Sequence, residues 1–301
     1  MPDSRPASAK GYTLILVAAA LWGSMGIFYK VLIERYQMTP LGVASMRSLW
    51  GGLILCAVIV IVRRRLLRIH PRDLPLLLAY GTIGIAGFFV VYAYAVALTG
   101  VAVAAVLLYT APAWVGLIAW RWLGEAMHAR VVAALLMTLV GSVLVAGLYD
   151  VSSLQVNALG VLAGLGAGLG YALWSVFNKV AVQRYSAWTV QTYALLIGAA
   201  TLLLIVPAGQ RVSWEEMVVA WPWLLAMALG PTLGGALAYA LGVRWIPVSI
   251  ASIVATLEPV VAMVLAFFLF DERLTVPQLI GSAFIIGAVA LLRPRGAGRA
   301  A

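Results

Sequence analysis

Residues 87–125 read GFFVVYAYAVALTGVAVAAVLLYTAPAWVGLIAWRWLGE, and residues 234–272 read GGALAYALGVRWIPVSIASIVATLEPVVAMVLAFFLFDE. Laid over one another, Gly87, Tyr92, Val96, Val101, Ala104, Pro112 and Glu125 coincide with Gly234, Tyr239, Val243, Val248, Ala251, Pro259 and Glu272, every pair 147 positions apart. Earlier in each copy, Phe28-Tyr29-Lys30-Val31 and Arg35-Tyr36 return as Phe177-Asn178-Lys179-Val180 and Arg184-Tyr185, now 149 positions apart. The chain is therefore built from two copies of one unit.

The unit is apolar. Hydrophobic residues make up 64% of the 301 and charged residues only 10%, against about 25% charged in soluble domains. A soluble fold could not hide so much apolar surface and still present a wet exterior. Ten apolar runs stand out: Gly11–Ile33, Leu41–Val62, Leu76–Leu98, Val101–Trp120, Val131–Leu148, Leu159–Val182, Val190–Val206, Trp223–Leu241, Val248–Phe270 and Val276–Leu292. Each is near the roughly 20 residues that span hydrocarbon as a helix. Pro40, Pro71, Pro75, Pro207, Pro222 and Pro247 mark run ends, and Thr99-Gly100 predicts a tight hairpin between the third and fourth runs. The expected fold is an all-α membrane protein of ten transmembrane helices, with units 11–148 and 157–292 and flexible tails at 1–9 and 293–301. Five helices is an odd number, so the second unit is expected to lie upside down relative to the first, around a central cavity.

Charge supports the alternation. If the runs cross in turn, 15 of the 20 Lys and Arg residues fall on one side. Basic loops stay in the cytoplasm, so both termini are expected on the cytoplasmic face of the cell (inner) membrane. The net charge of +10 belongs to these loops, and no aromatic-basic stripe or zinc spacing points to nucleic acid. The single cysteine, Cys56, permits no disulfide and no Cys-based metal site. His70 and His128 sit in basic loops without ligand spacing, and no nucleophile elbow or phosphate loop appears. The sequence calls for no enzyme activity and no cofactor. Its expected partners are a small-molecule substrate and the lipid bilayer, with a monomer as the simplest assembly.

The segments Leu257-Glu258-Pro259-Val260, Phe268-Leu269-Phe270-Asp271-Glu272-Arg273-Leu274-Thr275, Gly281 and Gly287 resemble the signature of EamA-type carriers in the drug/metabolite transporter superfamily. Thr110-Ala111-Pro112, Trp122-Leu123-Gly124-Glu125 and Gly141 form a looser first copy. Ala20-Leu21-Trp22-Gly23, Ala172-Leu173-Trp174-Ser175 and Arg47 match as well. The resemblance spans the chain and implies an alternating-access carrier. Aromatic content and length are similar to the YddG-type branch, which exports aromatic amino acids and methionine. The resemblance therefore implies export of small amphipathic metabolites, aromatic and hydrophobic amino acids foremost. Drugs, nucleosides or sugars on the same fold, and a passive channel or structural subunit, stand as alternatives. One departure is that Ala111 occupies the place of Glu258, so the halves are chemically unequal there.

Several helix faces carry residues suited to a substrate wall. Tyr171, Trp174, Ser175 and Asn178 share one face of the sixth run; Thr232, Gly235 and Tyr239 share one on the eighth; Tyr80, Gly84, Gly87 and Tyr94 share one on the third. Hydroxyls and amides are costly against lipid, and aromatic rings hold planar or cationic solutes. The candidate substrate-binding residues are Trp22, Tyr80, Tyr92, Tyr94, Tyr109, Tyr171, Trp174, Asn178 and Tyr239; their alternative role is packing or interface anchoring. Arg47 and Glu258 lie inside spans, where an ionised group faces the protein interior or water. They are candidates for gating or coupling, or else an ion pair and a helix-end anchor. Glu125 and Glu272 are expected to cap the helix that follows each, and Lys30 and Lys179 to snorkel to the interface. Gly160, Gly164 and Gly168 predict close helix approach.

Overall fold

Short polar residues start the helices where the apolar runs begin. Thr39 accepts from Gly42 N at 3.0 Å with Pro40 as the first helical residue, Asn157 accepts from Gly160 N at 2.6 Å, and Ser186 accepts from Thr189 N at 3.1 Å. Each cap satisfies a donor that the first turn leaves open. A computed structural model describes residues 5–148, 157–270 and 273–293. Among them the α-helices are α1 (Arg5–Gly23), α2 (Met25–Glu34), α3 (Pro40–Arg63), α4 (Leu74–Ala79), α5 (Phe88–Leu108), α6 (Ala111–Trp122), α7 (Ala129–Val145), α8 (Ala158–Arg184), α9 (Ala187–Ile205), α10 (Trp214–Met227), α11 (Gly235–Gly242), α12 (Val248–Ala255), α13 (Glu258–Phe270) and α14 (Val276–Leu291). No strand occurs among the described residues. The predicted outer tails fall largely outside them, as does Glu272; α1 begins at Arg5, ahead of the apolar run.

Seven helical stretches among the described residues are long and apolar enough to cross a membrane, and Ala129–Val145 and Val276–Leu291 are shorter apolar helices. The exterior matches: Ile61, Leu204 and Phe268 are 83%, 82% and 73% exposed. Apolar surface on that scale is stable only against hydrocarbon. The chain is an all-helical, multi-pass membrane protein.

Three kinds of irregularity interrupt the helices. α5 breaks at Gly100, whose φ of 80° and ψ of 166° belong to a region open to glycine alone; this is where the hairpin was expected. Two π-helical stretches, Tyr80–Gly87 and Ala228–Gly234, precede α5 and α11. Their ends, Gly87 and Gly234, are one of the repeated pairs. Finally, Tyr109 (φ −71°, ψ 4°) ends α5 and Thr256 (φ −67°, ψ 3°) ends α12. These positions are again 147 apart, each three residues before a proline that fits the first turn of a new helix but not the middle of an old one. Two predicted single runs are thus each split in two.

Elements of the two copies pack on one another: α1 on α11, α3 on α9, α5 on α8, and α7 on α14. Glycine allows the closest approaches. A Cβ on Gly141 would lie 2.7 Å from the Gly281 carbonyl oxygen, so only glycine fits where α7 crosses α14. The predicted smooth face of α8 meets α5: Gly160 lies against Leu98 and Thr99, and Gly164 and Gly168 against Leu107.

Candidate functional site

The breaks converge on a cavity of about 440 Å³. Trp22 reaches it from the end of α1, where Ser24 Oγ donates to Leu21 O at 2.7 Å and the helix restarts at Met25. Phe88, Phe89 and Tyr92 come from the start of α5, Tyr171 and Trp174 from α8, Tyr109 from one break, and Glu258 from the first position after the other. The rings form a continuous wall. Phe88 is 6.1 Å from Tyr92 and 6.0 Å from Tyr171, Tyr171 is 5.4 Å from Trp174, and Trp22 is 5.5 Å from Trp174, centroid to centroid. These separations suit edge-to-face and offset contact.

At one end the cavity extends to Ile33, Pro40, Leu41, Val96 and Val101, residues at helix ends and beside the Gly100 break. At the other it stops on a buried polar floor. There Tyr239 and Ser175 hydroxyls bond at 2.8 Å, and Gln191 Nε2 donates to the Tyr80 hydroxyl at 3.3 Å. Asn178 is fully buried in the same layer. Below the floor, Lys179 donates to the carbonyls of Val243 and of Ile246, the latter at 3.0 Å. Just beyond, the Glu125 carboxylate accepts from Val248 N at 2.7 Å, Ser249 N at 3.0 Å and Ser249 Oγ at 2.5 Å. An acid and a base thus grip the loop between α11 and α12 from both sides. The acid satisfies open amides at a helix N-terminus, and the base satisfies open carbonyls at a helix C-terminus.

Of the eleven candidate residues, Trp22, Tyr92, Tyr109, Tyr171, Trp174, Arg47 and Glu258 line this cavity. Tyr80, Asn178 and Tyr239 are buried at 0% exposure behind the wall, in the floor. Tyr94 is 62% exposed on the outside of α5. The π-helical stretch between Tyr80 and Tyr94 winds more widely than an α-helix, so counting at 3.6 residues per turn across it misplaces the later residue. Two further expectations change. Glu125 caps α12, not the helix that follows it in the chain, because the duplicated fold brings α12 alongside. Lys179 turns inward to carbonyls, not outward to the interface. Lys30 lies 3.8 Å above the Phe270 ring. Phe88, Phe89 and Gln191 line the cavity without having been singled out; a lone amide inside an apolar run was a usable signal for Gln191.

Arg47 Nη1 donates to Met25 Sδ at 3.1 Å and the guanidinium stands 4.3 Å from the Phe89 ring centroid, while its Nε has no hydrogen-bond partner. The ion pair that stands as one alternative for Arg47 is not formed among the described residues. Among the described residues the salt bridge is Arg184–Asp73, whose carboxylate also accepts from the Tyr185 hydroxyl, and neither residue lines the cavity.

A solute-sized, aromatic-walled cavity inside a helical membrane protein is what a small-molecule transporter requires. The EamA-like transporter family matches the chain twice, over residues 9–147 and 158–293, and the chain belongs to that family. An uncharacterized transporter of Archaeoglobus fulgidus is 30% identical over 93% of this chain and 94% of its own length. The uncharacterized inner membrane transporter YicL of Salmonella typhimurium is 24% identical, over 94% of this chain and 95% of its own. A probable terminal-alkyne amino-acid exporter of Streptantibioticus cattleyicolor is also 24% identical, over 97% of this chain and 96% of its own. A crystal structure of a protein 20% identical superimposes with a TM-score of 0.80, covering 96% of this chain and 97% of that one. It shares the fold.

Proposed function

We propose that the protein is an alternating-access exporter of small amphipathic metabolites, aromatic and hydrophobic amino acids foremost, as in the YddG-type branch. It crosses the membrane ten times as two inverted five-helix units, 11–148 and 157–292, with both termini cytoplasmic. Pro71–Leu108 then makes two spans turned at Gly100, and the helices on either side of each break make one broken span. The packing supports inversion: exchanging the halves turns the α1–α11 pair into the α5–α8 pair and leaves α3–α9 and α7–α14 as they are. The family match in two blocks supports the duplication.

The observation that carries the function is the aromatic-walled cavity, which extends to one end of the molecule and is sealed at the other. In the proposed orientation the sealed end is cytoplasmic, because Lys179, Arg121, Arg130 and Arg244 cluster there. We read the closing of the open end from the repeat. Lys30 is the counterpart of Lys179, and Val96 and Thr99 are the counterparts of Val243 and Ile246. In the inward-open state Lys30 leaves the Phe270 ring and takes the carbonyls of Val96 and Thr99, while Lys179 lets go. Such exchange between two equivalent arrangements is how inverted repeats alternate access. The amino-acid exporter among the relatives supports the substrate class, and the aromatic wall fits apolar side chains.

Counterflow tests it. Proteoliposomes loaded with unlabelled phenylalanine, methionine or threonine should transiently accumulate the labelled amino acid, and Trp174→Ala should abolish the overshoot. Equilibration without overshoot would indicate a channel. No flux of any amino acid through folded protein would discard the substrate class.

A further inference from the structure

Arg47 and Glu258 both line the cavity, close enough to feel one another's field, yet neither is hydrogen-bonded to an oppositely charged group among the described residues. Glu258 accepts no hydrogen bond from any described residue, and Arg47 hydrogen-bonds only the thioether of Met25 and stands on the face of Phe89. No ion pair joins the two, although both border the same space. The guanidinium has five donors, one spent on sulfur, a weak acceptor, and its Nε is unpartnered. Ionised groups within a membrane protein are costly unless paired. They are placed from opposite halves: Arg47 from α3, Glu258 from the first turn of α13. The helix break is what delivers Glu258 to the cavity.

We infer that Arg47 and Glu258 are the two poles of a zwitterion site, Arg47 taking the α-carboxylate and Glu258 the α-ammonium of a free amino acid, with the side chain on the wall of Trp22, Tyr171 and Trp174. This rests on the carrier reading above and narrows it. Guanidinium matches carboxylate through paired N–H donors; a carboxylate accepts from an ammonium. A ligand bearing both charges satisfies both groups at once. A simple amine or a simple acid satisfies one and leaves the other stranded, and a site's stranded charge is what discriminates most strongly between close analogues. Sugars and nucleosides offer neither charge in this arrangement.

The test is calorimetric binding to purified, full-length protein in detergent, with three probes of the same ring: L-phenylalanine, 2-phenylethylamine and 3-phenylpropionate. Wild type should bind phenylalanine about 100-fold more tightly than either analogue. Glu258→Gln should erase the advantage over phenylpropionate while keeping that over phenylethylamine. Arg47→Lys, which keeps charge but loses the paired donors, should weaken phenylalanine and phenylpropionate together by about 10-fold and spare phenylethylamine. The inference is overturned if wild type binds phenylethylamine as tightly as phenylalanine, or if each variant weakens all three probes by one factor. In that second case phenylalanine binding would still leave the carrier reading standing. If folded wild type binds none of the three, both readings fall.

Discussion

Lys179 and Lys30 occupy the same place in the two copies, 149 positions apart, yet they do different things. Lys179 grips the carbonyls of Val243 and Ile246 beneath a closed floor, and Lys30 lies over the ring of Phe270 beside a mouth lined by Val96 and Val101. Sequence alone cannot distinguish the two lysines, since Phe-Xaa-Lys-Val surrounds both. Their surroundings differ because one end of the molecule is closed and the other is not. In the proposed alternating-access carrier, these two lysines are one gate element in its engaged and its released form.

The largest effect is expected from breaking that contrast at the engaged end. Lys179→Met removes two charge-assisted hydrogen bonds, each worth about 1.5–3 kcal/mol, and leaves two carbonyls facing a protein interior. A loss of about 3 kcal/mol is enough to invert an equilibrium biased modestly to one state. The expected consequence is that the outer mouth shuts: Val96→Cys in a Cys56→Ala background reacts about 10-fold more slowly with an impermeant maleimide. Lys30→Met should instead leave Val96→Cys as reactive as before while counterflow slows about 10-fold. Equal labelling in all three proteins would mean that the floor's rings, and not the lysines, hold the gate.

Much of this architecture was legible. Apolar runs, prolines and the repeat spacing located the helices, and seven of the eleven candidate residues, Arg47 and Glu258 among them, came to line one cavity. What stayed hidden has physical causes. No residue pattern announces a π-helical stretch, so a count of 3.6 residues per turn puts Tyr94 on a face it does not share. Sequence points Glu125 to the next helix because its real partner, the α12 N-terminus, is 123 positions away. Lys179 could be read only as a basic residue near a span end, since carbonyls left open by a helix end are invisible in a sequence. The breaks at Tyr109 and Thr256 needed backbone angles, although the prolines beyond them hinted at their location.

The cavity wall offers a second, milder contrast. Phe88 and Gly235 are equivalent, 147 positions apart. Phe88 supplies its own ring to the wall, whereas Gly235 supplies none and seats Trp22 from α1, whose Nε1 would lie 2.4 Å from a Cβ on Gly235. Gly235→Ala should push the indole off its seat at a cost of about 1–3 kcal/mol, the usual range for overpacking. Melting should fall, and phenylalanine affinity should drop about 10-fold. An unchanged affinity would mean that Trp22 has room to slide and that the wall does not depend on its present position.

The smallest effect separates Tyr239 from Tyr92, which hold the same place in the two halves. Tyr239 is fully buried and bonds Ser175 at 2.8 Å; Tyr92 lines the cavity, and the counterpart of Ser175 on its side is Gly26, which has no hydroxyl to offer. Tyr239→Phe therefore strands the Ser175 hydroxyl in the floor and should cost about 1 kcal/mol, while Tyr92→Phe exchanges only a hydroxyl that faces the cavity and should be neutral to within about 0.5 kcal/mol. Thermal melting of the two variants side by side measures the difference. A drop at Tyr92→Phe as large as that at Tyr239→Phe would mean that the mouth is held by a hydroxyl contact of its own, and the asymmetry between a sealed floor and an open mouth would no longer explain the distribution of polar residues between the halves.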